Sequence, residues 1–193
     1  MAAESEALPK TPDVSVGDTV RRLREQQGIS VRALASMSGF SPSFISQVEN
    51  GQASPSINSL QHICSALQVT LGEFFHAFSP NESPVTRVSE RGQITSGWSK
   101  GTIQSLTGTS AAMEAILITL APGGYSGKQA ASQAQGEFAY MVDGVLTLSL
   151  NGEEIELHPG DAVTIRAGSE RSLRNDGEGP AQILIVSSRR TRG

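Results

Sequence analysis

The stretch from Gly160 to Asn175, GDAVTIRAGSERSLRN, brings Arg166, Arg171 and Arg174 close together with no histidine among them. A guanidinium is a planar fork of donors that fits a carboxylate, sulfate or phosphate, and burying one without an anion is costly. The three arginines either form a solvated rim or include one that points into a pocket. The single cysteine, Cys64, sits beside Ile63 and near Leu67, reads as a small core residue, and excludes an internal disulfide or a multi-cysteine zinc site.

The elements that must position these groups fall into two kinds. From about residue 13 to 78, capping residues punctuate short segments of helical periodicity. Ser15 with Asp18 opens a helix whose Val16, Val20 and Leu23 share a face until Gly28. Ser30 opens a second, Val31 to Ser38, that ends at Gly39. Ser41-Pro42 supplies an N-cap with proline at the first helical position and starts a third, Pro42 to Asn50, which buries Ile45 and Val48. A fourth runs from about Ser56 to Leu67. Thr70-Leu-Gly-Glu73 is a capping box for a fifth that buries Leu71, Phe74 and Phe75. Residues 79–85, Ser-Pro-Asn-Glu-Ser-Pro-Val, are a linker.

From residue 86 to 188 the pattern has period two. Met113 to Leu120, Glu137 to Val142, Val145 to Leu150, Glu154 to Leu157, Ala162 to Ile165, Arg171 to Asn175 and Ala181 to Ser187 are expected strands, with weaker ones near 85–88 and 102–107. Asp143-Gly144 and Asn151-Gly152 between alternating runs signal hairpins. The expected fold is therefore a five-helix all-α domain followed by an all-β sandwich or barrel, for which a jelly roll is the economical closure.

Length and charge narrow the partners. The 193 residues carry a net charge of −4, which argues against a large basic nucleic-acid surface. No apolar run is long enough to span a membrane and the N-terminus lacks the pattern of a secretion signal, so a soluble cytoplasmic protein with no membrane partner is expected.

Two short helices joined at Gly39, the second started by Ser-Pro, have the layout of a helix-turn-helix. GISVRALASMSGFSPSFISQVENGQASPSINSLQHICSALQVTLGEFF, residues 28 to 75, resembles the DNA-binding domain of the Xre family, which includes the lambdoid phage repressors. The resemblance implies that the helix from Pro42 lies in the major groove with Ser43 and Gln47 facing base edges and Ser46 beside them. Gln47 can bond bidentately to adenine N6 and N7. Phosphates would be held by Ser30, Ser41 and Asn50, with Arg32 adding charge. Val31 departs from phage repressors, which often have glutamine there. Arg24 and Glu49 match a structural clamp between the first and third helices, and Phe44 is expected to pack on the core. Arg21, Arg22, Arg24 and Arg32 do not outnumber the acids of the helical half, so one copy should bind DNA weakly and a homodimer on two half-sites is expected.

The order GEFAYMVDG, LHPGD, AGSERSLRN resembles the small cupin barrel. Cupins bring three histidines and a glutamate together around a metal ion. Glu137 matches the glutamate. Gln133, or Ser132, stands where the second histidine would be and Ala131 or Ala130 at the first, while Arg171 takes the third and Arg166 a proline position; Gly160, Gly168 and Asn175 are kept. His62 and His76 belong to the helical half and His158 precedes a turn, so none replaces them. A guanidinium has no lone pair for a metal and would repel one. No metal or other cofactor is expected. If Arg171 and Glu137 both face inward, they either pair and plug the barrel, or Arg171 takes a ligand carboxylate while Glu137 takes its amine, over an apolar floor of Ala139 and Met141. Tyr125 and Lys128 are nearer to packing and solvent roles.

A helix-turn-helix joined to a cupin is an arrangement of bacterial transcription regulators. The resemblance implies a regulator of double-stranded operator DNA, not an enzyme, whose barrel senses a small anionic or amino-acid-like effector through Gln133, Glu137, Met141 and Arg171. The alternatives are a cupin enzyme using Glu137 as acid or base, and an effector-free dimerisation barrel.

Overall fold

In a computed structural model, residues 15–76, 85–108, 113–127 and 136–188 are described. Gln133, Lys128, Ala130, Ala131, Ser132 and most of the expected 79–85 linker lie outside them.

Five α-helices open the chain: α1 Val16–Gln26, α2 Val31–Ser38, α3 Pro42–Glu49, α4 Ile57–Ala66 and α5 Leu71–His76. Serine chemistry sets their starts. The hydroxyls of Ser15, Ser30, Ser41 and Ser56 accept from the backbone N–H of Asp18, Ala33, Phe44 and Ser59 at 3.3, 3.1, 3.1 and 3.0 Å. Each satisfies a donor that the first helical turn leaves unpaired. The Thr70 box closes in both directions, Glu73 N–H to Thr70 Oγ1 at 3.1 Å and Thr70 N–H to Glu73 Oε2 at 2.8 Å. Gly39 ends α2 at φ 75°, a left-handed backbone that a side chain would strain. α1 crosses the end of α3 so closely that a Cβ on Gly17 would lie 2.3 Å from the Val48 carbonyl oxygen.

Nine strands follow among the described residues: β1 Gln93–Ser96, β2 Gly101–Ser105, β3 Met113–Leu120, β4 Glu137–Asp143, β5 Leu146–Leu150, β6 Glu153–Leu157, β7 Ala162–Ile165, β8 Arg171–Arg174 and β9 Ala181–Ser188. They form a six-stranded sheet in the order β1-β2-β3-β9-β4-β7 and a three-stranded sheet β6-β5-β8. Alternate residues of both sheets, among them Ile116, Ile118, Met141, Leu148, Leu173, Ile183 and Ile185, share one core.

Two strand expectations are corrected. Val88–Glu90 is a single 3-10 turn with exposed side chains rather than a strand, and pairing starts at Gln93. Asp143-Gly144 does not close a hairpin. β4 pairs with β7 and β9, while β5 pairs with β6 and β8 in the other sheet. Gly144 carries the chain between sheets at φ 74°, where a Cβ would lie 2.7 Å from Ala181 Cα. Asn151-Gly152 does form the expected two-residue hairpin, with φ 52° and 88° between the paired Leu150 and Glu153.

Helices and barrel meet directly. The start of α4 is wired to the barrel: Ile57 N–H donates to Ser99 Oγ at 3.2 Å, Asn58 N–H to Ser126 O at 3.1 Å, and Ser96 Oγ–H to Pro55 O at 2.9 Å. Asn58 Nδ2 donates to Gly127 O, and Gly72 N–H on α5 donates to Glu114 on β3. Phe75 packs over Gly92, where a Cβ would come within 2.9 Å of it. No helix among the described residues is long and apolar enough to cross a membrane.

Candidate DNA-reading helix and barrel ion pair

α3 separates its faces sharply. Ile45 and Val48 are 0% and 1% exposed, while Ser43 and Gln47 stand in solvent on the other side, one turn apart. Phe44 leans on Phe40 with ring centroids 4.9 Å apart, a packing role. Ser46 is half-buried, and its Oγ accepts from Asn50 Nδ2 at 3.4 Å. Asn50 ends the helix, and its Oδ1 accepts from Arg21 Nη2 at 2.6 Å. The sequence carries no signal for that contact, because Arg21 lies a full helix away. The Ser30 and Ser41 hydroxyl oxygens each accept one cap bond, which leaves their hydroxyl hydrogens able to donate. Arg32, in the first turn of α2, is exposed beside them.

Beneath this face Glu49 is buried and receives a two-pronged bond from Arg24, Nε to Oε1 at 2.6 Å and Nη2 to Oε2 at 3.0 Å. Arg24 Nη1 also donates to Ile29 O at 2.9 Å, so one guanidinium ties α1 to α3 and to the turn before α2. The hydrogen bond to Glu49 holds the Arg24 pKa above its ordinary value. Bidentate pairing of this kind fixes geometry as well as charge.

In the barrel the three arginines separate. Arg166 is exposed. Arg174 is exposed and bonds Asp176 at 2.7 Å and Glu154 at 3.0 Å, which raises its pKa and lowers that of Asp176. Arg171 turns inward: its side chain is 1% exposed, and its Nε donates to Glu137 Oε2 at 2.6 Å. Glu137 begins β4 in the larger sheet and Arg171 begins β8 in the smaller, so the pair bridges the sheets. Nη1 and Nη2 of Arg171 are buried with no acceptor among the described residues. A buried donor left unpaired costs on the order of 1–3 kcal/mol, and more when charged. Ala139 and Met141, on the same face of β4 as Glu137, are 1% and 0% exposed. Asn175, just past β8, is buried and structural: its Nδ2 donates to Leu120 O and Gly179 O, and its Oδ1 accepts from Gly177 N–H.

These groups do not suit the metal of cupin sites. The guanidinium at the third histidine position offers donors only, and its partner is the one carboxylate that would ligate. His158, exposed, pairs with Glu156 at 2.9 Å, and His62 lies near Phe40. The described residues hold no group of three or more His, Cys, Asp or Glu side chains able to bind an ion.

Comparison with known proteins agrees with this division. A family model described as Helix-turn-helix matches residues 20–74, and one described as Cupin domain matches residues 116–187. HTH-type transcriptional regulator PuuR of Escherichia coli is 28% identical over 171 residues, 87% of this chain and 91% of the relative. HTH-type transcriptional regulator SutR of the same organism is 28% identical over 167 residues, 83% of this chain and 86% of the relative. A crystal structure of an HTH_3 family transcriptional regulator from Vibrio cholerae superposes with a TM-score of 0.70 at 19% identity, covering 92% of this chain and 96% of that one, a likeness of fold.

Proposed function

We propose, from the premise that this chain joins an Xre-type helix-turn-helix to a cupin domain and is homologous to HTH-type transcriptional regulators, that it reads operator DNA through α3. The observation that carries this is the split of α3: Ser43 and Gln47 are free in solvent while Ile45, Val48 and Glu49 are buried beneath them. Gln47 reads a base, Ser43 and Ser46 flank it, and Ser30, Arg32, Ser41 and Asn50 grip phosphates. The modest charge of the helical half favours a homodimer with two such heads on half-sites one helical turn apart.

On this reading the protein is not an enzyme, and the barrel senses a small anionic or amino-acid-like effector at Glu137, Met141 and Arg171, with Gln133 as a further candidate. The direct bonds from α4 and α5 to the barrel support coupling without a separate lever. An effector can shift DNA affinity only by as much as it prefers one arrangement of the heads. The 2.6 Å bond between Arg171 and Glu137 also favours a second reading, in which the pair is a plug and the barrel only a dimerisation scaffold.

A mobility-shift assay on DNA upstream of the protein's own coding region tests the first reading. Gln47→Ala should weaken specific binding by about 1–3 kcal/mol while leaving non-specific binding unchanged. Equal loss on both DNAs would remove Gln47 from base reading.

A further inference from the structure

We infer that the barrel binds a zwitterion, a ligand carrying carboxylate and ammonium on one carbon as an α-amino acid does, rather than a simple anion. The inference rests on the barrel being a sensor and narrows what it senses. Two observations lead there. The Arg171 side chain is 1% exposed and its Nη1 and Nη2 have no acceptor among the described residues, so the end of the fork carries two unmatched donors of the kind a carboxylate satisfies. Its Nε donates to Oε2 of Glu137 at 2.6 Å, so Oε1 is the carboxylate oxygen that would take an ammonium. The pair is therefore neutral as it stands.

Charge balance then chooses the ligand. A bare carboxylate, phosphate or sulfate on the fork would bring a second negative charge beside the Glu137 carboxylate, in a place where charge is poorly screened. A bare amine on Glu137 would set a second positive charge beside the guanidinium. A ligand with both groups adds no net charge and meets each site with its opposite. Because Nε and Oε2 are only 2.6 Å apart, the complementary charges of the ligand must also lie close together, as they do across a single carbon. Ala139 and Met141, on the same face of β4, favour an apolar substituent on that carbon.

The full chain, dialysed free of small molecules, is scanned by thermal shift against the standard amino acids at millimolar concentration. The best stabiliser is then titrated calorimetrically beside its deamino acid and its decarboxylated amine; for leucine these are 4-methylpentanoate and 3-methylbutylamine. The amino acid should bind, and each half-ligand should bind at least about tenfold more weakly. Glu137→Gln keeps the shape, leaves the site with a net positive charge, and should reverse the ranking so that the deamino acid binds better than the amino acid. Should Glu137→Gln fail to fold, Arg171→Lys, which keeps the charge but loses the fork, should weaken amino-acid binding by at least about tenfold. Absence of any stabilising amino acid, tighter binding of phosphate or acetate by the unaltered protein, or an unchanged ranking in Glu137→Gln would overturn the inference. Operator binding measured on the same samples separates the two levels. Amino-acid binding without a change in DNA affinity leaves the site standing and removes the sensor. A DNA response to some ligand that is not a zwitterion keeps the sensor and removes the zwitterion.

Discussion

Among the described residues, the helical half and the barrel both hold a buried arginine–carboxylate pair, and they complete it differently. In the helices, Arg24 meets both oxygens of Glu49 and spends its third nitrogen on the Ile29 carbonyl. In the barrel, Arg171 meets Glu137 through Nε alone, and its other two nitrogens have no acceptor among the described residues. The first arrangement is finished by the fold itself and has only a positioning task. The second leaves two buried donors unmatched, and that difference is what supports the proposal of a ligand at the barrel pair and of a clamp at the helical pair.

The comparison breaks most readily by removing one carboxylate at a time. Glu137→Ala strands the least exposed arginine of the two pairs and should cost about 3–5 kcal/mol in urea unfolding, whereas the double replacement Glu137→Leu with Arg171→Met should recover most of that loss. If the double variant is as unstable as the single, the pair is a structural staple. Glu49→Ala should cost roughly 3 kcal/mol, at the low end because the Arg24 side chain is 11% exposed and keeps the Ile29 carbonyl. It should also weaken operator binding, since α3 loses its buried tie to α1 and keeps the surface bond from Arg21 to Asn50.

Smaller effects sharpen the contrast. Asn58→Ala removes the Nδ2 bond to Gly127 O, which Ser126 Oγ also reaches at 3.1 Å, and should cost about 1 kcal/mol by thermal unfolding. The smallest change is expected at the surface pair of Arg174 and Asp176. The folded-state pKa of Asp176 is lowered chiefly by its bond to Arg174, so the stabilisation it gives is present above the unfolded carboxylate pKa and fades as pH falls through the folded value. Asp176→Asn should therefore lower Tm slightly at neutral pH and not at all in strong acid, and the difference should shrink with salt.

Much of this is legible in the sequence alone, for physical reasons that differ by region. A serine ahead of an apolar-periodic run has a local meaning, because the cap bond spans only three residues, as Ser15, Ser30, Ser41 and Ser56 show. Arg171 stood out because a guanidinium sits where a cupin keeps a metal ligand, and its side chain does turn inward. Asp143-Gly144 misled because the same dipeptide that closes a hairpin can also pass a chain from one sheet to another, and only the close approach to Ala181 distinguishes the two. The contacts of Asn58, Ser99 and Ser126 carried no signal at all. They are small polar residues without periodicity, brought together by pairing across distant segments.

Those same contacts bear on how the molecule comes apart. Because the first turn of α4 gives two backbone N–H groups to barrel atoms, and Phe75 shares a continuous apolar cluster with Ile94 and Ile103, neither half can open without exposing groups the other had satisfied. Heating should then give one cooperative transition for the whole chain, and a fragment cut after α5 should melt well below it. A ligand that steadies the barrel would steady α3 by the same increment of free energy, whether or not it moves it.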